Sequence, residues 1–83
     1  MEKELAEIIE MIDSLLQDFS VPRNVRRALE EAKNRLRGSE ELGVRISAAV
    51  YTVEAVSDDV NLPAHARAQL WAILSALEGI KND

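Results

Sequence analysis

An all-α fold of four helices, set out as two tandem hairpins, follows from three observations. The second half of the 83-residue chain repeats the first at an offset of 41: Pro22 matches Pro63, Asp18 matches Asp59, Arg26 matches Arg67, Leu29 matches Leu70, Leu36 matches Leu77 and Gly38 matches Gly79. Apolar residues correspond at the same shift, Leu5 with Ile46, Ile9 with Val50, Ile12 with Val53, Leu15 with Val56 and Val21 with Leu62, and within each half they recur at helical spacing. Each half also carries one proline behind a short polar break, so each reads as helix, turn, helix. A repeat of about 40 residues with this periodicity marks stacked helical hairpins. No segment reads as a strand.

The first helix is expected over residues 3–18, where Leu5, Ile8, Ile9, Ile12, Leu15, Leu16 and Phe19 form one apolar stripe. Glu2, Glu4 and Glu7 lie at its start, where the helix dipole favours negative charge. The residue before a proline is pushed out of the α region, so Val21 ends a turn and Pro22 opens the second helix at its first position. That helix buries Val25, Ala28, Leu29, Ala32 and Leu36 and stops at Gly38, read as a left-handed C′ glycine. Ser39 is the expected N-cap of the third helix, with Glu40 and Glu41 in its first turn and Leu42, Ile46, Ala49, Val50, Val53 and Val56 along its stripe. Gly43 weakens its start by about 1 kcal/mol relative to alanine. After the turn at 58–62, the fourth helix runs from Pro63 to about Gly79 and buries Ala66, Leu70, Ile73, Leu77 and Ile80. Ser20 and Asn61, each two residues before a proline, are placed to bond free backbone amides through their side chains.

The whole chain, 1–83, is therefore one domain, with hairpin one at about 2–38 and hairpin two at about 39–81. Neither hairpin can bury its stripe alone, so the two must pack, either as tandem units or as a compact four-helix bundle. The chain is 47% apolar and its mean hydropathy is −0.13, the balance of a globular domain. No apolar run approaches the roughly 20 residues of a membrane span. The opening Met-Glu-Lys-Glu lacks the basic and apolar regions of a secretory signal, and the absence of cysteine fits a cytoplasmic protein.

Two resemblances follow from particular residues. Asp18 with Val25, Arg26 and Ala28, echoed by Asp59 with Ala66, Arg67 and Gln69, resembles the entry to the second helix of HEAT repeats. The stretch Val21-Pro22-Arg23-Asn24-Val25-Arg26-Arg27-Ala28, with Leu62-Pro63-Ala64-His65-Ala66-Arg67 and Trp71, resembles a family of small archaeal proteins catalogued only as uncharacterised. That resemblance spans nearly the full length. It implies a small all-helical fold and assigns no activity and no catalytic residue.

Catalysis finds little to work with, and no enzyme is expected. His65 is the single histidine and has no cysteine or second imidazole to share a metal, so it reads as solvated or locally hydrogen-bonded. Asp58 and Asp59 read as turn formers rather than half a cation site. The three glycines are scattered and form no phosphate loop, and the carboxylates Glu4, Glu7, Glu10 and Asp13 lack the histidines of a di-iron bundle. No cofactor, metal or small-molecule ligand is expected. Arg26 and Arg67, each eight residues after an aspartate, are expected to reach back to the preceding turn, so that Asp18, Pro22, Arg26, Asp59, Pro63 and Arg67 form a structural set.

Two surfaces remain. Residues 23–37 hold six cations against Glu30 and Glu31, a balance of +4, whereas residues 2–18 hold six acids and Lys3, a balance of −5. The basic helix offers Arg23, Arg27, Lys33 and Arg37 as nucleic-acid contacts for an RNA- or ribonucleoprotein-associated protein. Against that stand the i,i+4 pairs Arg26–Glu30, Arg27–Glu31 and Glu31–Arg35, an overall charge of −5, and no aromatic residue between the arginines. The second surface comes from five outward positions that are charged in the first half and apolar in the second: Lys3 becomes Val44, Glu7 becomes Ala48, Glu10 becomes Tyr51, Glu30 becomes Trp71 and Lys33 becomes Leu74. These make Val44, Ala48, Tyr51, Trp71 and Leu74 the candidate protein interface, and a non-enzymatic interaction module, self-associating or bound to another protein, the leading functional expectation. Burial of Trp71 inside one chain would remove that reading.

Overall fold

The two prolines punctuate four helices in a computed structural model that describes residues 2–81. They are α1 (Glu2–Leu16), α2 (Arg23–Leu36), α3 (Leu42–Glu54) and α4 (Ala64–Lys81), and no strand occurs among the described residues. Helix α1 ends two residues earlier than its apolar stripe suggests. Asp18 N–H turns back to the Leu15 carbonyl at 3.1 Å, and Phe19, beyond the helix end, points to solvent with 85% exposure. Periodicity carries a side chain to the core only while the helix continues. Pro22 is the N-cap of α2 rather than its first helical residue, with ψ at 150°.

The connections repeat as the sequence does. The Asp18 carboxylate accepts the Ser20 N–H at 2.9 Å and the Asp59 carboxylate accepts the Asn61 N–H at 2.8 Å. The carbonyls of the same aspartates accept the N–H of Val21 at 3.1 Å and of Leu62 at 3.2 Å. Aspartate is thus the turn former, and Ser20 and Asn61 supply backbone donors in place of the expected side-chain bonds. Val21 and Leu62 are driven into the core as plugs at matching places.

The α2–α3 connection is built differently from its expectation. No described glycine has positive φ, so Gly38 is not a left-handed cap. A Cβ there would stand 3.2 Å from the Arg35 carbonyl and 3.3 Å from Glu40 Oε1, which makes the need for glycine one of space. Glu41, not Ser39, is the N-cap of α3, without a side-chain cap bond. Arg45 closes the corner, donating from Nη1 to the Leu36 carbonyl at 2.9 Å and from Nε to the Glu40 carbonyl at 2.8 Å. Gly79 lies inside α4, which runs on to Lys81.

Around the molecule, α1 packs on α2, α2 on α3, α3 on α4 and α4 on α1, while α1 does not approach α3, nor α2 α4. That is the closed cyclic order of an up-down-up-down bundle; successive hairpins of a HEAT stack would set α1 beside α3. The bundle measures 33 × 19 × 19 Å. Its core is wholly apolar, from Ile8, Ile12 and Leu15 through Val25, Leu29 and Leu36 to Ile46, Val53, Leu70, Ile73 and Leu77.

Candidate interaction surface

At one end of the bundle the two turns meet and exchange bonds. Asn24, in the first turn of α2, donates from Nδ2 to Asp59 Oδ2 at 2.9 Å, and His65, in the first turn of α4, lies 2.7 Å through Nε2 from Asp18 Oδ2. Asn24 and His65 are themselves 41 apart, so the two contacts are the same contact seen from the two halves. Such an exchange requires an approximate two-fold relation between hairpins, the symmetry that also swaps the α2–α3 and α4–α1 seams. The sequence held the signal, the offset of 24 and 65, but residue identity hid it because asparagine and histidine differ.

These bonds polarise the aspartates. The Ser20 hydroxyl, followed by His65 and the Ser20 N–H, lowers the Asp18 carboxyl from 3.8 to about 2. Asn24, the Asn61 N–H and the Arg67 charge lower Asp59 as well. Arg67 donates from Nη2 to the carbonyls of Asp59 at 3.3 Å and Leu62 at 3.4 Å, tying the turn to α4 through the backbone. Arg26 departs from the symmetry: its guanidinium lies 5.5 Å from the Phe19 ring centroid, and its buried Nε has no hydrogen-bond partner. Phe19 is therefore a cation–π partner rather than a core residue.

Along α2, Lys33 is withdrawn from the candidate nucleic-acid contacts by an ion pair of 2.7 Å with Asp13 of α1. None of the three expected i,i+4 pairs, Arg26–Glu30, Arg27–Glu31 and Glu31–Arg35, closes as an ion pair. Arg23, Arg27 and Arg37 are exposed. Arg27 and Arg35 face a groove of about 440 Å³ whose other wall, from α3, includes Ala48, Tyr51 and Thr52. Arg27 also borders a second, open groove of about 730 Å³ that runs past Leu16 and Asn34 and is bordered by Arg23, whereas Arg37 borders neither.

The apolar set divides. Leu74 is 4% exposed and belongs to the core, which removes it from the candidate interface. Its counterpart Lys33, on α2, is half-buried because Asp13 of α1 pairs with it; leucine at 74 needs no partner. Ala48 is half-buried in the α2–α3 groove. Trp71 is 58% exposed, Tyr51 78% and Val44 53%. Val60 is exposed too, which sequence patterning did not single out. The described residues hold no cluster of three His, Cys, Asp or Glu able to bind a metal, and no helix is long and apolar enough to cross a membrane.

A family model described as an uncharacterised protein family, UPF0147, matches residues 1–80. A UPF0147 protein of Archaeoglobus fulgidus is 40% identical over 78 residues, 94% of this chain and 90% of its own. A UPF0147 protein of Pyrococcus furiosus is 41% identical over 83 residues, 98% of this chain and 89% of its own. Among solved structures, the unknown-function protein MMP1188 is similar with a TM-score of 0.90 at 42% identity, covering 95% of this chain and 91% of its own. A UPF0147 protein of Thermoplasma acidophilum has a TM-score of 0.89 at 32% identity, covering 95% and 94%.

Proposed function

We propose that this chain, which belongs to the UPF0147 family, acts as a non-enzymatic helical module that binds a protein through the outer face of α3 and α4. Trp71 carries the reading. Ala66, Leu70, Ile73, Leu74, Leu77 and Ile80 already supply the buried face of α4, and Trp71 is left 58% exposed although the core does not use it. Tryptophan, tyrosine and arginine are the residues on which interface energy concentrates, and the exposed Trp71 and Tyr51 stand on neighbouring helices of one bundle. Reading the module as non-enzymatic rests on its single histidine, which is held by Asp18 in the turn contact. The absence of cysteine supports placing it in the cytoplasm.

The partner this chain can itself provide is a second copy. Sedimentation velocity over a concentration series is expected to show the 9.2 kDa chain passing reversibly into a dimer, and Trp71→Ala, at an exposed position, to stay folded by circular dichroism and remain a monomer. If wild type and variant both stay monomeric and neither is distinguished in capture of partner proteins, the reading fails.

A further inference from the structure

We propose that the groove between α2 and α3 binds single-stranded nucleic acid, a base stacking on Tyr51 while Arg27 and Arg35 hold the phosphates on either side. This goes beyond the protein-binding reading; it shares Tyr51 and Ala48 with that reading but not Trp71, which does not line the groove. Three features of the sequence argue against nucleic acid on α2: the overall charge of −5, pairing of its arginines with Glu30 and Glu31, and the lack of an aromatic residue among them. The fold alters the last two. The intrahelical pairs do not close as ion pairs, and Glu31, which keeps its charge in the groove, lies 3.4 Å from the Thr52 hydroxyl, whose proton goes to the Ala48 carbonyl at 2.9 Å. The aromatic residue arrives from the neighbouring helix, because Tyr51, 78% exposed, lines the same groove as Arg27 and Arg35.

The geometry suits a strand rather than a duplex. Arg27 and Arg35 are eight residues apart, about 12 Å along a helix, so each can take a different phosphate of one backbone with a base between them. A phenol ring gives every base a stacking face, and arginine supplies the charge that tracks the backbone. Arg27 also borders the open groove in which Arg23 stands beside Glu30 and Glu31, so the strand has a continuation along α2. On its far side α2 meets α1, whose segment carries a balance of −5, and Lys33 there is already paired with Asp13. The cationic strip is thus one helix wide, roughly 10 Å, too narrow to serve both strands of a double helix.

Fluorescence anisotropy with a labelled oligouridylate of roughly 12 nucleotides, begun near 50 mM salt, tests the site. Binding is expected to weaken about tenfold in Tyr51→Ala and to survive in Tyr51→Phe, since stacking needs the ring and not the hydroxyl. Arg27→Ala and Arg35→Ala are each expected to weaken it severalfold and to flatten the logarithmic salt slope by about 0.7. Arg37→Ala, outside the groove, and Trp71→Ala are expected to change it less than about twofold. Oligothymidylate in a parallel arm reads whether the 2′-hydroxyl contributes: equal affinity assigns the site to any single strand, and a preference for oligouridylate assigns it to RNA. The proposal is overturned if oligonucleotides do not bind, if Tyr51→Ala binds as well as wild type, if a duplex competes equally, or if a polyglutamate peptide binds in place of the nucleic acid. Circular dichroism of each exposed-residue variant separates loss of the site from loss of the fold.

Discussion

Arg67 and Arg26 occupy the same place in the two halves and do different work. Arg67 bonds two turn carbonyls, whereas Arg26 rests on Phe19 with its Nε unpartnered. Losing a charged donor to backbone acceptors costs about 1 to 2 kcal/mol, so Arg67→Met is expected to be clearly destabilising by urea denaturation, and more so than Arg26→Met. Equal stability of Arg67→Met and wild type would contradict the assignment. Asp18 adds a pH signature. Its carboxyl is lowered from 3.8 to about 2 on folding, so the stability it contributes is complete above 3.8 and drains away as pH falls through that window. The melting temperature is expected to fall steeply across it, and Asp18→Asn to be less stable at neutral pH with a shallower fall in acid. Asp59 shifts in the same direction, so the double variant Asp18→Asn, Asp59→Asn is expected to flatten the profile further. The repeat made these two aspartates and Arg67 legible in the sequence. It did not reveal the partners of Asp18 and Asp59, because Asn24 and His65 come from the other half and match in position but not in chemistry.

At the level of elements, helical periodicity located all four helices and nearly every core residue, and it erred where a local signal stood in for a tertiary one. Phe19 continues the α1 stripe on paper, yet the chain has already turned. Gly38 and Gly79 match as if both ended helices; only Gly38 does, through lack of room, and Gly79 is passed over because Ile80 still has core to reach. Arg45, which closes the α2–α3 corner, carried no sequence signal, since its acceptors are backbone carbonyls that composition cannot display. The two open glycines make a prediction. A Cβ at Gly43 or Gly79 meets nothing within 4 Å, and both positions are helical. Gly43→Ala and Gly79→Ala are each expected to stabilise by about 0.5 kcal/mol, less than the mid-helix value because both lie near helix ends. Gly38→Ala, crowded by a backbone carbonyl, is expected to gain less than either. Thermal melts of the three variants rank them.

For the whole molecule, the sequence repeat left open a translational stack or a closed bundle, and the choice rests on the α1–α4 seam, a contact between the two ends of the chain that no local pattern encodes. Closure makes the hairpins interdependent: a fragment of residues 2–38 exposes the faces that α3 and α4 cover, and is expected to show little helix by circular dichroism on its own. Closure also explains which part of the apolar asymmetry is internal. Leu74 is absorbed by the core, whereas Trp71, Tyr51 and Val44 remain outside it. Whether Trp71 acquires cover from another molecule decides what the outer face is for. As the single tryptophan, it reports on itself, and acrylamide quenching of its emission across a concentration series is the most direct measurement. Falling quenching and a blue shift as the chain, or the chain with a captured protein partner, is concentrated is the predicted result; quenching that stays at the level of a solvent-exposed indole under every condition would contradict it.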